Sequence, residues 1–427
     1  MEPFEKLIAA VKRLSARTVW PDGVTPVVAD PASDGAFWPA GFTLSGINAG
    51  IKPSRKDLML MLCDQPASVA SVFTTNKCCA APVELSKAAL SASGGRMRAV
   101  ICNSGNANAA TGAAGMENAR LMAEATAEAF GLDANEVLVA STGVIGQQLP
   151  VGKIAAAMPS LKAFSGAMQW REAAEAIMTT DTFPKAFGVD VALSGGTARI
   201  AGIAKGSGMI CPNMATMLAF LGTDVSIEPA LLQELLSAAN AVSFNAITVD
   251  GDTSTNDMAA IMASGKGAQV LRGSEDAQLF GEALRSVMTM LAQLIIVDGE
   301  GATKFVELRV TGARSDEEAR MAAMTVANSP LVKTAIHGED ANWGRIIAAA
   351  GRSGASFQEA ELAVHFDDEP ILKPGLDANF SEERAKEIMS KEEFTITLSL
   401  GKGPGAATVW TCDLSHGYIE INGSYRS

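Results

Sequence analysis

Short apolar runs of strand length alternate along the chain with longer stretches whose apolar positions recur every three or four residues. The first kind reads as strands buried in a sheet, the second as amphipathic helices. Strands are predicted at 57–62 with 71–73, 98–103, 137–140, 188–193, 197–204, 216–221, 305–310, 360–366 and 394–400. Helices are predicted at 115–130, 170–178, 229–242, 275–294, 316–328 and 381–390, with a short amphipathic helix at the very start. Ser194-Gly195-Gly196 reads as a hairpin turn between two of the strands. Ser315 and Glu318 form a capping-box pattern ahead of helix 316–328, and Pro330 stops it. The stretch from Pro21 to Pro39, rich in Pro, Asp and Gly, reads as an irregular surface segment. Elements interleave without a regular strand–helix–strand period, and hairpins are mixed in. Layered sheets with helices outside therefore fit better than a Rossmann arrangement.

Composition narrows the partners. A chain of 427 residues accommodates one large or two medium domains, and 48% apolar residues supply a sizeable core. A net charge of −13 repels phosphate backbones, so nucleic acid is not expected as a partner. Cys63, Cys78, Cys79, Cys102, Cys211 and Cys412 show neither C-x-x-C nor zinc-ligand spacing. Reduced, mostly buried thiols are expected. No apolar run of about twenty residues and no signal-peptide core are apparent, so neither a membrane span nor a leader is expected and the cytoplasm is the default compartment.

Several familiar chemistries have no residues to carry them. The chain has no G-x-S-x-G elbow, no H-E-x-x-H and no Walker loop. Gly401–Ala406, GKGPGA, follows a strand and reads as a turn between strands rather than a phosphate loop. His365 falls in an alternating strand, His337 and His416 fall in loops, and nothing pairs any of them with a nucleophile. The carboxylates of VDGDTSTND, Asp250, Asp252 and Asp257, read as a hydrogen-bonded supporting loop rather than a metal site.

One stretch stands apart: KGSGMICPNMATML, Lys205–Leu218. Gly206 and Gly208 permit backbone shapes closed to other residues, and Pro212 restricts both itself and Cys211. A constrained loop thus delivers one hydroxyl residue, Thr216, to the head of a continuously apolar segment. On residue types alone two readings stand. Thr216 is an ordinary strand residue, or it is a nucleophile that cuts its own chain. In the second reading its hydroxyl attacks the Ala215 carbonyl, and hydrolysis of the ester frees an N-terminal threonine. The new α-amine, with a reference pKa of about 8, suits a general base at neutral pH.

The stretch resembles the cleavage-site motif of the glutamate N-acetyltransferase (ornithine acetyltransferase) family of arginine biosynthesis. Six further segments resemble that family in the same order: CNSGNANAATG at 102–112, STGVIG at 141–146, TTDTFPK at 179–185, VDGDTSTND at 249–257, DGEGATK at 298–304 and SPLVKTAIHGEDANWGR at 329–345. Together they cover the chain from about Val69 to its end.

The resemblance implies an α+β fold of four αββα layers with mixed sheets, like that of N-terminal-nucleophile hydrolases. It implies scission between Ala215 and Thr216, giving an α segment 1–215 and a β segment 216–427 interleaved in one unit. It implies acetyl transfer from N2-acetylornithine to glutamate through an acetyl-Thr216 ester. Thr142 and Gly143 would hold the oxyanion. Thr182, Lys205, Thr216, Glu300, Asn422 and Ser427 would bind substrate. No cofactor or metal is expected; acetyl-CoA stands as an additional donor, as in some family members. An α2β2 assembly is implied. The C-terminal INGSYRS departs from the family pattern near Ser424 but keeps a hydroxyl at Ser427. The main alternative is a β-aminopeptidase-like or N-acyl amidohydrolase on the same scaffold. A second is an uncleaved binding module.

Overall fold

The computed structural model describes residues 2–30, 37–166, 169–211, 217–375 and 377–424. Its helices and mixed sheets give the α+β architecture that the resemblance implies. The larger sheet runs, in spatial order, through strands Val24–Val27, Lys185–Leu193, Gly196–Lys205, Leu218–Thr223, Met258–Ala263, Leu58–Phe73, Arg96–Asn106 and Val137–Val144, with Phe42–Ile47 also paired to Leu58–Phe73. The smaller sheet runs through Ile247–Thr248, Gly405–Cys412, Phe305–Ala313, Glu393–Ser399, Ala363–Phe366 and Glu369–Leu372.

Most predicted elements are present with shifted ends. The two fragments read at 57–62 and 71–73 are one long strand that slips register against Arg96–Asn106 between Leu62 and Ala67. Ser194 and Gly195 make a two-residue turn, since Leu193 pairs with Gly196. Ser315 caps the helix Asp316–Ala327 by accepting from the Glu318 amide. Glu318 does not return that bond; its carboxylate accepts from the Ser356 amide at 3.0 Å. GKGPGA turns the chain between Glu393–Ser399 and Gly405–Cys412.

Other readings change. The Pro21–Pro39 segment is not simply surface: Val24–Val27 extends the larger sheet, and Phe37 and Trp38 are buried. His337 ends the helix Pro330–His337, and His416 opens the helix His416–Ser424, so neither lies in a loop. Helix Glu275–Val297 is long and apolar enough to span a membrane by composition. Its Phe280, Leu284, Val287, Leu291 and Ile295 are instead fully buried in the protein core. All six cysteines are free: Cys63, Cys102 and Cys412 are buried, Cys79 and Cys211 half-buried and Cys78 exposed.

Packing explains the layout. Helix Glu275–Val297 lies on strands Lys185–Leu193 and Gly196–Lys205, and its core continues to Trp410 and Cys412 of the smaller sheet. Each leucine-sized side chain so buried contributes about 1.5–3 kcal/mol. Helix Asp316–Ala327 covers Phe305–Ala313 and Gly405–Cys412, forming a second core. In sequence, the 215/216 position falls between two neighbouring strands of the larger sheet, Gly196–Lys205 and Leu218–Thr223. Upstream strand Gly196–Lys205 pairs antiparallel with downstream Leu218–Thr223, and downstream Met258–Ala263 pairs with upstream Leu58–Phe73. The strands of the two segments are therefore shuffled together.

Candidate active site

Strand ends of the larger sheet and several loops meet at a cleft of about 70 Å³. Its walls include Thr142, Gly143, Lys205, Glu300 and Asn422, five positions from three well-separated motifs and the C-terminal helix. Thr142 and Gly143 end strand Val137–Val144, which runs parallel to Arg96–Asn106. Gly143 has φ +130°, and a Cβ there would lie 2.4 Å from the Gly105 carbonyl carbon. Only glycine fits that approach.

Lys205 ends its strand paired to Leu218, two residues beyond Thr216. Its side chain is buried, and Nζ donates to Thr142 Oγ1 at 3.4 Å. Burial is the main force pushing its pKa below the ordinary 10.5; neighbouring Lys185 adds to this, while Asp181 and Asp257 oppose it. Behind Lys205 lies a fully buried ion cluster. Lys185 Nζ donates to Asp181 at 2.7 Å and to Asp298 at 2.6 Å. Asp181 also accepts from the Gly206 amide at 2.8 Å, which fixes the turn after Lys205. Burial alone would raise the Asp181 pKa, but Lys185 and Lys205 overcome it and hold the carboxyl below its usual range. The two ammoniums balance the two carboxylates, as low-dielectric burial demands.

Glu300 enters from the loop after helix Glu275–Val297. Its amide donates to Ser207 O at 2.9 Å, and its carboxylate accepts from Asn422 Nδ2 at 2.7 Å. It reaches the cleft directly over Gly208, where a Cβ would stand 2.2 Å from Glu300 Oε2. The glycine is therefore a space requirement of the site. Asn422 arrives on helix His416–Ser424, an element without an apolar stripe that the sequence reading missed; its Tyr418 hydroxyl donates to Asp250 at 3.3 Å.

Thr182 is placed elsewhere. Its hydroxyl donates to Asp298 at 2.6 Å and accepts from Lys6 Nζ at 3.5 Å. It lines a neighbouring cavity of about 700 Å³ roofed by the N-terminal helix. Within TTDTFPK the residues lining the cleft are Thr179 and Thr180. Asn256 of VDGDTSTND also lines it, and its amide donates to Ser141 O at 2.9 Å and Ala107 O at 2.6 Å. Clustered polar residues of the motifs signalled these segments, but not which members turn inward. The carboxylates of the same motif bind backbone: Asp250 accepts from Met209 and Ile210, and Asp257 from Met217. Ala215, Thr216 and Ser427 lie outside the described residues.

The model of the ArgJ family matches residues 43–427. The arginine biosynthesis bifunctional protein ArgJ of Chlorobaculum tepidum is 89% identical over 402 residues, covering 94% of this chain and 100% of that protein. Its namesake from Chlorobium chlorochromatii is 60% identical over 425 residues, covering 99% of each. A crystal structure of the ArgJ protein from Bacillus halodurans is 43% identical, covering 48% of this chain and 98% of that one, with a TM-score of 0.47.

Proposed function

Since the chain belongs to the ArgJ family, we propose that it is an acetyltransferase of arginine biosynthesis that cuts itself before Thr216 and then moves the acetyl group of N2-acetyl-L-ornithine to L-glutamate. The observation that carries this reading is the convergence of Thr142, Gly143, Lys205, Glu300 and Asn422 on one cleft beside the strand that follows Thr216.

The chemistry runs in two stages. In scission, Thr216 Oγ attacks the Ala215 carbonyl, the Ala215–Thr216 C–N bond breaks, and the hydroxyl proton passes to the departing nitrogen. Water then hydrolyses the ester, leaving a carboxylate on Ala215 and a free Thr216 amine and hydroxyl. In transfer, Thr216 Oγ attacks the acetyl carbonyl while its α-amine takes the proton. The amine of ornithine leaves with that proton; the amine of glutamate then attacks the acetyl ester, the acetyl–Oγ bond breaks, and the attacking amine's proton passes through the α-amine to restore the Thr216 hydroxyl. Oxyanion stabilisation falls to Thr142 and Gly143; a single such donor is typically worth about 3–4 kcal/mol. Lys205 donates to the Thr142 hydroxyl and so orients it with its proton toward the cleft. Glu300 suits a substrate ammonium, with Asn422 holding its carboxylate in place.

Nucleophile, base and donors are all protein groups, so the reading calls for no cofactor. Acetyl-CoA enters as an alternative acetyl donor. The reading includes a cytoplasmic enzyme of two αβ pairs, with a native mass of twice 44.2 kDa. Purified protein given N2-acetylornithine with and without glutamate tests the function. Ornithine release that requires glutamate supports it; release indifferent to glutamate makes the protein an amidohydrolase. A parallel arm with acetyl-CoA and glutamate tests the second donor. N-terminal sequencing should find Thr-Met-Leu-Ala beside the original start.

A further inference from the structure

Thr142 and Gly143 sit where the larger sheet stops being regular. Strand Val137–Val144 keeps one register against Arg96–Asn106 from Ala99 opposite Val137 to Gly105 opposite Gly143. There the register shifts, and Asn106 faces both Thr142 and Val144. The two glycines at the break hold positive φ, +94° at Gly105 and +130° at Gly143. A broken ladder leaves backbone groups without strand partners, and buried ones must be bonded by something else. One side chain from a distant loop does this. Asn256 Nδ2 places its two protons across the break, on Ser141 O at 2.9 Å and on Ala107 O at 2.6 Å. Its Oδ1 accepts from the Thr255 hydroxyl at 2.5 Å, which sets the amide with its nitrogen toward the two carbonyls. Asn256 is buried in the wall of the cleft. Ser141 is held from a second side as well: its hydroxyl donates to Asn103 Oδ1 at 2.6 Å, and Asn103 Nδ2 donates to Asn106 O at 2.9 Å. Asn103 and Asn106 are asparagines of CNSGNANAATG, a motif without a place in the chemistry above.

We propose that Asn256 is a positioning residue for acetyl transfer: by bridging Ser141 O and Ala107 O it fixes the backbone that carries Thr142 and Gly143 and so keeps both donors aimed into the cleft. The proposal rests on the reading of Thr142 and Gly143 as oxyanion donors and assigns the group that holds them. Ser141 O belongs to the peptide unit that ends in the Thr142 nitrogen. Asn256 therefore fixes Thr142 through its backbone, while Lys205 fixes it through its hydroxyl. A side-chain amide suits the task because it offers two donors in one plane and keeps an acceptor for Thr255. An oxyanion donor works by being aimed before charge develops, so looseness in its backbone costs rate and not substrate affinity.

The test measures kcat and KM for glutamate-dependent acetyl transfer from N2-acetylornithine, beside thermal unfolding, in Asn256→Ala, Thr142→Ala and the double variant, each normalised to split chain. Asn256→Ala should lower kcat at least about ten-fold and leave KM within about three-fold of wild type. In the Thr142→Ala background the same change should cost less than about three-fold, because the donor pair it aims is already broken. A merely structural role would neither confine the loss to kcat nor fade in that background. Thr142→Ala with wild-type kcat removes the oxyanion reading, and the proposal with it. Thr142→Ala that is impaired, beside Asn256→Ala with wild-type kcat, overturns the proposal alone. So does a loss that falls on KM, or one that multiplies in the double variant, since either makes Asn256 act apart from the donor pair. If Asn256→Ala fails to fold or to split, Asn256→Ser, which keeps a single donor, decides by the same measurements: a loss confined to kcat supports the proposal, and wild-type kcat overturns it.

Discussion

At the scale of single residues, the cleft depends on what is missing as much as on what is present. Gly208 leaves the space that Glu300 occupies, so Gly208→Ala should displace the carboxylate and raise KM for acetylornithine at least about ten-fold, with the fold intact by circular dichroism. Lys205 offers a pH signature. Burial first, with Lys185 adding, holds its pKa below 10.5, so its proton is lost before that of an exposed lysine as pH rises. If the charged form orients Thr142, transfer should fall along an alkaline limb below pH 10.5, and Lys205→Arg should move that limb upward in a kcat–pH profile. Lys185 is the counter-charge to two buried carboxylates. Lys185→Met should cost about 3–5 kcal/mol in urea unfolding at pH 7, and the deficit should shrink toward pH 5 as Asp181 or Asp298 can take up a proton. Which residues would matter was only partly legible. Thr142, Lys205, Glu300 and Asn422 belong to motifs that announce themselves by glycines and lone polar residues. Thr179 and Thr180 against Thr182 could not be told apart, because the direction of each side chain in a tight turn is set by Asp181 and Asp298, one of them 116 residues away from Thr182 in sequence.

Among elements, the N-terminal helix Pro3–Ser15 shows which contacts count. Its Leu7, Val11 and Leu14 are buried, while Arg17 pairs with Glu393 at 3.0 Å from the half-exposed side. Leu7→Ala should cost about 2–5 kcal/mol and Arg17→Ala less than about 1, both read by urea unfolding. That helix was legible because its apolar positions keep a helical period. His416–Ser424 was not: it buries none of its residues and is held by polar bonds from Tyr418 and Asn422, which leave no periodic trace. Val151–Ala163 was hidden for another reason, since Pro159 sits inside it and ordinarily marks a helix end. Pro330 both stops one helix and begins the next as its first residue, a position where its missing N–H costs nothing.

Across the whole molecule, the hydrophobic pattern was enough for layered sheets with outer helices but silent on strand order, which comes from long-range pairing. Nothing local in Leu218–Leu221 says that it lies between Gly196–Lys205 and Met258–Ala263. That placement makes a prediction: after scission the two fragments should co-elute in native chromatography and separate only in denaturant. With the proposed scission, it also implies an order of events in the life of the chain. A polypeptide whose halves are woven like the warp and weft of one cloth can be snipped only once the cloth exists. On the proposed scission before Thr216, halves made as separate polypeptides would each lack the neighbours that give their strands hydrogen bonds, so the intact chain would serve as its own assembly template and the cut would come last.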